Sequence, residues 1–461
     1  MTGMAPEARG TQGSEPDNVV PYADQALFIA LRGTGQEAVM QALWIYEHPI
    51  DMAGLKQFHH NLSHGLLARR IERSPLPFGR LRWIAAPATE TNFTVAQQPR
   101  DRAEFYDWAD EQVNLPLDPE WGPAWRISVQ PLSDGATAVS LVISHCIADG
   151  GASVIAVLDA VNSTKRDLGL PPAHSRTRSR ALRDDLRRLR TDLPEIARTL
   201  RRAATVARNR RKDLSRPSAP STAGGMGTSD IVLVPSASVF IDGELWDGRA
   251  SSLGGNSFSL VAGFAGRLAF NLGRTRASDG AVTLMIPVSV RESLEDTGGN
   301  VVSIANAGFD PGKVTHDLTE PRTAVREGIK RAREAPDEMV ELLPLIPFVP
   351  KRAFGRLVDA TFGFSTDLPV SCSNFGDVPA ELTLADGTPA EYLAFRGVDR
   401  QVSRASLERR HGLLTVASAR IAGRFVLSVI SYQVGSENTQ SSLRAVIAQT
   451  MGEFELEGTV L

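Results

Sequence analysis

The chain is poor in the residues that build disulfide frameworks, cysteine-rich metal sites and membrane spans. Cys146 and Cys372 are the only two cysteines among 461 residues, which argues against a disulfide scaffold and a cysteine-built zinc site. No apolar run is long enough to span a bilayer. The net charge of -3 gives no indication of nucleic-acid binding. The composition therefore predicts a globular, cytoplasmic protein.

Two widespread catalytic signatures are also missing. The chain has no Gly-x-x-x-x-Gly-Lys-Ser/Thr phosphate loop. The stretch 254–259 approaches the Gly-x-Ser-x-Gly nucleophile elbow but fails at its last position. The sequence therefore does not support a phosphate-loop nucleotidase or a serine hydrolase of the elbow type.

What is present is a strand, a tight turn and a helix around one histidine. Alternate residues before the turn are apolar: Val139, Leu141 and Ile143. In a strand they would lie on the same face as His145. After Gly150 the apolar residues recur at helical spacing: Val154, Val157, Leu158 and Val161. The pattern predicts that His145 ends an apolar strand face and points into an interior or a closed tunnel.

His145 titrates near neutral pH and could accept a proton from a hydroxyl or amine. A hydrogen-bonded structural histidine is the alternative. Asp149 stands just ahead of the helix, where it would be a good N-cap, and Gly150 could be a plain turn glycine. Cys146 cannot pair with His145 as a nucleophile, because adjacent strand residues point to opposite faces.

His60 and His64 have the spacing of two metal ligands on one helix face. No third ligand is evident, so we expect solvated helix histidines, no metal site and no redox cofactor.

The order of patterns divides the chain into four parts. Residues 1–18 are polar, lack a signal-peptide core and are predicted to be disordered. Residues 19–173 and 228–461 each mix strands and helices, which indicates an α/β or α+β fold with two subdomains. Residues 174–227 lie between them as a basic helical segment followed by a flexible linker rich in Pro, Ser, Ala and Gly.

The basic segment carries 15 Lys plus Arg against 5 Asp plus Glu over residues 174–216. Leu182, Leu186, Leu189 and Leu193 form a narrow apolar stripe, which predicts one or two amphipathic helices on either side of Pro194. A solvated bridge between the halves is one interpretation. Attraction to an anionic membrane surface or to cofactor phosphates is the other.

In the second half, alternation over 282–290 predicts a strand, and Pro287 suggests an edge or a bulge. The pattern predicts a hairpin around Ala422-Gly423, with its strands over 413–421 and 425–432. It also predicts a closing helix over 443–454. An entry helix is expected over 24–31.

The residues around His145 resemble the HHxxxDG motif of an acyltransferase superfamily. Its members include chloramphenicol acetyltransferase, plant BAHD acyltransferases, peptide-synthetase condensation domains and the bacterial wax ester synthase/diacylglycerol acyltransferases. Further segments resemble the last family in order and rough spacing: Pro21–Phe28, Pro116-Leu117-Asp118 with Pro123-Ala124-Trp125, Ile286–Arg291 with Gly299-Asn300, and Ser373–Gly376. The resemblance runs from about Pro21 to Tyr432.

The resemblance implies two chloramphenicol-acetyltransferase-like subdomains that meet along an active-site tunnel. It implies an acyl transfer from an acyl thioester, with acyl-CoA as co-substrate, to a hydroxyl acceptor such as a long-chain alcohol or diacylglycerol. His145 would be the general base. Asp149, paired with Arg291, and Gly150 would be structural. Arg291 would otherwise be a surface arginine at a strand end.

The resemblance also leaves Ser144, Ser373 and Asn374 as candidate oxyanion or tunnel groups, although residues 373–374 could simply hold a strand crossover. Ser144 replaces the first histidine of the motif, and residues 375–377 read Phe-Gly-Asp, as in condensation domains. Two rival functions follow. One is a condensation-type enzyme that uses a carrier-protein-bound acyl donor in trans and an amine or alcohol. The other is a non-catalytic acyl-binding or scaffolding relative.

Overall fold

The computed structural model describes residues 18–86, 92–213, 230–334, 340–349 and 368–461, with side chains described up to residue 205 in the long helix of the second range. The predicted disordered terminus, apart from Asn18, and the predicted linker over 215–227 lie outside the described residues.

The described elements are mixed along the chain. The helices are α1 (Tyr22–Thr34), α2 (Met52–Leu62), α3 (Phe105–Asn114), α4 (Gly150–Val161), α5 (Arg178–Asp213), α6 (Gly243–Ser252), α7 (Ser257–Asn271), α8 (Thr319–Glu334), α9 (Arg404–Arg409) and α10 (Gln440–Glu453). The strands are β1 (Glu37–Tyr46), β2 (Arg69–Glu72), β3 (Arg82–Ala85), β4 (Phe93–Val95), β5 (Trp125–Pro131), β6 (Thr137–Ser144), β7 (Ser236–Asp242), β8 (Val282–Ser289), β9 (Val302–Phe309), β10 (Val370–Val378), β11 (Tyr392–Arg400), β12 (Leu413–Ile421), β13 (Arg424–Tyr432) and β14 (Thr459–Val460).

The first large sheet has five strands in the order β11-β1-β6-β5-β4. All neighbours are antiparallel except β4 and β5. Its strand β11 comes from the second half of the chain and pairs with β1 over its whole length. The predicted boundary at residue 228 therefore does not separate the two sheets, because residues 392–400 belong to the first one.

The second large sheet has seven strands in the order β14-β7-β13-β12-β10-β8-β9, with β10 parallel to both of its neighbours. Helices pack on each sheet. α2 and α4 bury the apolar face of the first sheet, and α7, α8 and α10 that of the second. The predicted mixed α/β fold with two sheet-and-helix halves is confirmed.

Local predictions in both halves are also confirmed. The entry helix is α1, the closing helix is α10, and β12 and β13 form the hairpin. Ala422 and Gly423 both have positive φ, as a two-residue hairpin turn of type I′ requires. β8 is not an edge strand. Its pairing with β10 ends at Met285, however, so Pro287 lies where only β9 flanks the strand.

The basic segment forms one continuous helix, α5, which runs through Pro194. Ala181 and Ile196 are buried on its inner side, against the body of the protein. Of the predicted leucine stripe, Leu182, Leu186 and Leu193 are between 40% and 52% exposed and Leu189 is half-buried, so the stripe faces largely outward. Within the described part of the chain, no helix is both long and apolar enough to cross a bilayer.

Candidate active site

His145 directly follows the last residue of β6, at the junction of the two halves. Its backbone N–H donates to the carbonyl of Ala38 in β1 at 3.1 Å. Its carbonyl accepts from the Asn300 side chain at 2.9 Å, and Asn300 comes from the second half. The backbone of His145 is therefore held on one side by its own sheet and on the other by the opposite half.

The imidazole of His145 is half-buried. Its Nδ1 atom is buried and has no hydrogen-bond partner among the residues that the structure describes. The ring is therefore oriented by its backbone and by packing rather than by a hydrogen bond at Nδ1.

Asp149 both caps α4 and pairs with Arg291. Its Oδ1 caps α4 by accepting from the Ala152 N–H at 2.7 Å, and it also accepts from Arg291 at 2.8 Å. Its Oδ2 accepts from the Val301 N–H at 2.8 Å. Both oxygens are occupied and the side chain is 3% exposed, so Asp149 cannot serve as a second base.

Arg291 binds more than its carboxylate partner. It also donates to the carbonyls of Asp296, Gly298 and Gly299, in the loop of residues 296–300, which we call the latch loop. Arg69 of β2 reaches the same loop from the first half, at the Thr297 carbonyl, and also binds the Ile147 carbonyl. Two buried guanidinium groups thus fasten the latch loop to the turn that follows His145.

Asp24 completes this junction and was not singled out from the sequence. It is fully buried in α1, and its Oδ1 accepts from Asn300 at 2.8 Å. Burial raises its pKa to about 6. A methyl group added at Gly299 would lie 2.1 Å from Oδ1 of Asp24, so only glycine fits there. The motif segments Pro21–Phe28 and Gly299-Asn300 contained both residues, but no spacing rule joins positions so far apart.

Gly150 is where the His145 turn meets β10. A methyl group added at Gly150 would lie 2.5 Å from Cε1 of Phe375. The absence of a side chain therefore lets the Phe375 ring pack directly over the start of α4.

Ser144 requires a correction. It is fully buried, and its hydroxyl donates to Glu37 on the face of β6 opposite His145. As adjacent strand residues point to opposite faces, Ser144 does not line an open tunnel next to the imidazole. Its role as a candidate oxyanion or tunnel group is not supported.

Ser373 and Asn374 are half-buried residues of β10, immediately before Phe375. The Asn374 Oδ1 accepts from the Gly376 N–H at 2.8 Å, and the Ser373 carbonyl accepts from Ser418 at 3.3 Å. These hydrogen bonds fix the backbone beside the site. The role of Ser373 and Asn374 as oxyanion donors stays a prediction.

Neither the histidine pair 60/64 nor the two cysteines add a reactive group to this junction. His64 Nδ1 contacts the carbonyl of His60 at 2.8 Å, and no group of three potential metal ligands occurs among the described residues. Cys146 and Cys372 are buried, and burial raises the pKa of both thiols, that of Cys372 to about 12. Neither is an activated nucleophile.

No family model and no curated protein matches the chain, but solved structures do. The first condensation domain of the CDA synthetase is 12% identical, with a TM-score of 0.55 over 97% of this chain and 100% of that one. The wax ester synthase/diacylglycerol acyltransferase from Marinobacter aquaeolei VT8 is 14% identical, with a TM-score of 0.54 over 95% of this chain and 98% of that one. A mutant starter condensation domain of rhizomide synthetase RzmA, in complex with C8-CoA, is 11% identical, with a TM-score of 0.50 over 95% of this chain and 97% of that one.

At these identities the comparisons establish a shared fold. The chain has the architecture of condensation domains and of a wax ester synthase over nearly its full described length.

Proposed function

We propose that this protein is an acyltransferase that moves an acyl group from an acyl thioester, such as acyl-CoA, to a hydroxyl acceptor. The acceptor would be a long-chain alcohol or a diacylglycerol. The observation that carries the proposal is the state of His145. Its imidazole is half-buried at the junction of the halves, and its buried Nδ1 has no partner among the described residues. The one carboxylate in its turn is already bound by Arg291 and the helix cap.

The chemistry needs one base and no covalent acyl-enzyme. His145 takes the proton of the acceptor hydroxyl as its oxygen attacks the thioester carbonyl carbon. The tetrahedral intermediate then collapses, the C–S bond breaks, and the imidazolium returns the proton to the leaving thiolate. Ser373 and Asn374 would donate hydrogen bonds to the oxyanion. General-base help of this kind is worth about 10²–10⁴-fold in rate.

The fold supports the proposal without choosing the substrates. Both a wax ester synthase and condensation domains share it, and one of the latter is named as a complex with C8-CoA. The sequence Phe375-Gly376-Asp377 favours the second candidate, a condensation-type enzyme with a carrier-bound donor. The buried Ser144 keeps a non-catalytic acyl-binding relative as the third.

We further propose that α5 lies against an anionic lipid surface, from which lipidic substrates would reach the site. Its outward leucines supply apolar contact, and its many arginines supply charge attraction to anionic headgroups.

The test is a rate measurement that detects the released thiol. Both cysteines are buried with raised pKa values, so the protein itself gives little background with a thiol reagent. Acyl-CoAs and acylated carrier protein are each offered with long-chain alcohols, diacylglycerol and amines. We expect His145→Ala to lose transfer and His64→Ala, at an exposed position just after α2, to retain it. Equal, non-zero rates for the wild type and His145→Ala would refute His145 as the base.

A further inference from the structure

Two buried rows of polar side chains cross the same three strands of the first sheet, β6, β1 and β11. The inner row joins Ser140, Gln41 and Arg396: Gln41 donates to the Ser140 hydroxyl at 2.7 Å and accepts from Arg396 at 2.7 Å. Arg396 in turn pairs with Asp110 of α3 at 2.7 Å. This row lies in the middle of the sheet.

The second row, which we call the site-end row, joins Ser144, Glu37 and Arg400 four residues further along each strand. The Ser144 hydroxyl donates to Glu37 Oε1, and Arg400 donates to Glu37 Oε2 at 2.7 Å. Glu37 and Arg400 are direct cross-strand partners. Arg400 also binds the carbonyls of Leu115 and Leu117 at 2.8 and 2.9 Å.

The site-end row brackets His145. The hydroxyl of Ser144 accepts from the backbone N–H of Cys146 at 3.3 Å, so it is anchored just before His145 and holds the chain just after it. Ala38, which follows Glu37, accepts the His145 N–H. A shift of Glu37 would therefore displace the backbone of His145 through two independent bonds.

Both partners of the ion pair in the site-end row are buried. Glu37 and Arg400 have side chains 1% and 8% exposed, so both charges are desolvated. Breaking such a pair is costly, but an apolar pair of similar volume is often as stabilising. The inner row also holds a buried ion pair, between Arg396 and Asp110, so charge alone does not distinguish the two rows. Only in the site-end row does the carboxylate bind the residue next to His145, and this geometry indicates a role in orienting the histidine.

We propose that Glu37 and Arg400 are positioning residues for His145 and act on it through Ser144. This inference rests on the proposed acyl transfer. The ion pair fixes Glu37, Glu37 fixes the Ser144 hydroxyl, and the hydroxyl sets the backbone on both sides of the imidazole. Reaction geometry is sensitive to displacements of about 1 Å, which can cost roughly 10²-fold in rate.

The chain provides a matched control for the kinetic test. Ser140→Ala and Ser144→Ala each remove a fully buried hydroxyl bonded to β1 from the same face of the same strand. We expect similar losses of Tm, but a fall in kcat of about 10- to 100-fold only for Ser144→Ala, with KM for the acyl donor unchanged. Ser144→Thr, which keeps the hydroxyl, should restore kcat. Equal kcat values for the two alanine variants would overturn the proposal.

A second measurement does not depend on activity. In protein labelled with ¹⁵N-histidine, the ring signals of His145 are assigned by their loss in His145→Ala. We expect them to shift in Ser144→Ala and in Glu37→Gln, and to stay in place in Ser140→Ala. Unchanged His145 signals in the folded Ser144 and Glu37 variants would refute the positioning role. Absence of acyl transfer in the wild type would instead refute the proposed function, and the ring signals would still decide this inference.

Discussion

Arg291 donates a hydrogen bond to Asp149 at 2.8 Å across the junction of the two halves, although the residues are 142 positions apart in the sequence. The same Asp149 oxygen caps α4. One carboxylate thus caps the helix of the strand-turn-helix unit and fastens that unit to the latch loop, and His145 lies four residues before it.

The first prediction separates the two roles of Asp149. Arg291→Ala leaves a buried carboxylate without its cation and should lower the free energy of unfolding by about 3–5 kcal/mol. Asp149→Asn keeps an oxygen for the cap and should leave the start of α4 intact while loosening the latch loop. Urea unfolding measures the loss of stability in Arg291→Ala. Amide hydrogen exchange of residues 150–153 and 296–301 reports on the start of α4 and on the latch loop in Asp149→Asn.

A surface pair is the control for that measurement. Arg276 and Asp279 form an exposed ion pair at 2.7 Å, so Arg276→Ala should cost at most about 1 kcal/mol. Similar losses for Arg276→Ala and Arg291→Ala would show that the buried pair does not join the halves.

The second prediction concerns the contact between the His145 turn and β10. Gly150→Ala should destabilise the fold by about 1–3 kcal/mol through overlap with the Phe375 ring. Phe375→Leu should relieve most of this loss in the double variant. Gly452→Ala, in α10 with open space at its Cβ, should instead be neutral or stabilising by about 1 kcal/mol. A thermodynamic cycle without coupling between positions 150 and 375 would contradict the contact.

The third prediction concerns pH. Burial raises the pKa of Asp24 to about 6 from 3.8, so between these values the folded state binds the proton more tightly than the unfolded state. Ionisation of Asp24 therefore lowers stability as the pH rises from about 4 to 6. Over that pH range the free energy of unfolding of Asp24→Asn should rise relative to that of the wild type, by up to about 2–3 kcal/mol.

The comparison must be made as a difference between the two proteins at each pH. Glu37 and Asp110 are also buried with raised pKa values, so the wild-type curve alone mixes several groups. A constant difference between pH 4 and pH 7 would show that Asp24 does not titrate in this range.

The fourth prediction tests the outer face of α5. We expect the protein to sediment with vesicles that contain anionic phosphatidylglycerol, and to sediment little with vesicles of phosphatidylcholine alone. Leu186→Ser with Leu193→Ser should abolish it. Leu245→Ser changes a leucine of α6 that is 56% exposed and should leave binding unchanged. Equal binding by all variants would assign α5 to the role of a solvated bridge.

Local pattern was enough to predict most elements near His145. The alternation before it and the helical spacing after it specified β6, the turn and α4, because each is encoded within about 25 consecutive residues. The resemblance to known acyltransferases also implied the pairing of Asp149 with Arg291. Neither implied Asp24 or Arg69, whose partners are distant backbone carbonyls and an asparagine. A charged residue near a strand or helix end is usually exposed, so its burial has no local signal.

The position of β11 in the first sheet could not be predicted from the sequence either. Alternation identifies a strand but not its neighbour, and the neighbour of β11 lies more than 300 residues earlier. The burial of Glu37 follows from that pairing, and with it the site-end row.

The position of β11 also has a consequence during synthesis. When the ribosome has made the first 390 residues, β1 still lacks one of its two neighbours. Glu37 and Asp110 then lack the arginines, Arg400 and Arg396, that pair with them. The nascent first sheet has an open edge and two carboxylates without counterions until β11 has emerged. We therefore expect the strand order to delay formation of the His145 site until β11 has been synthesised.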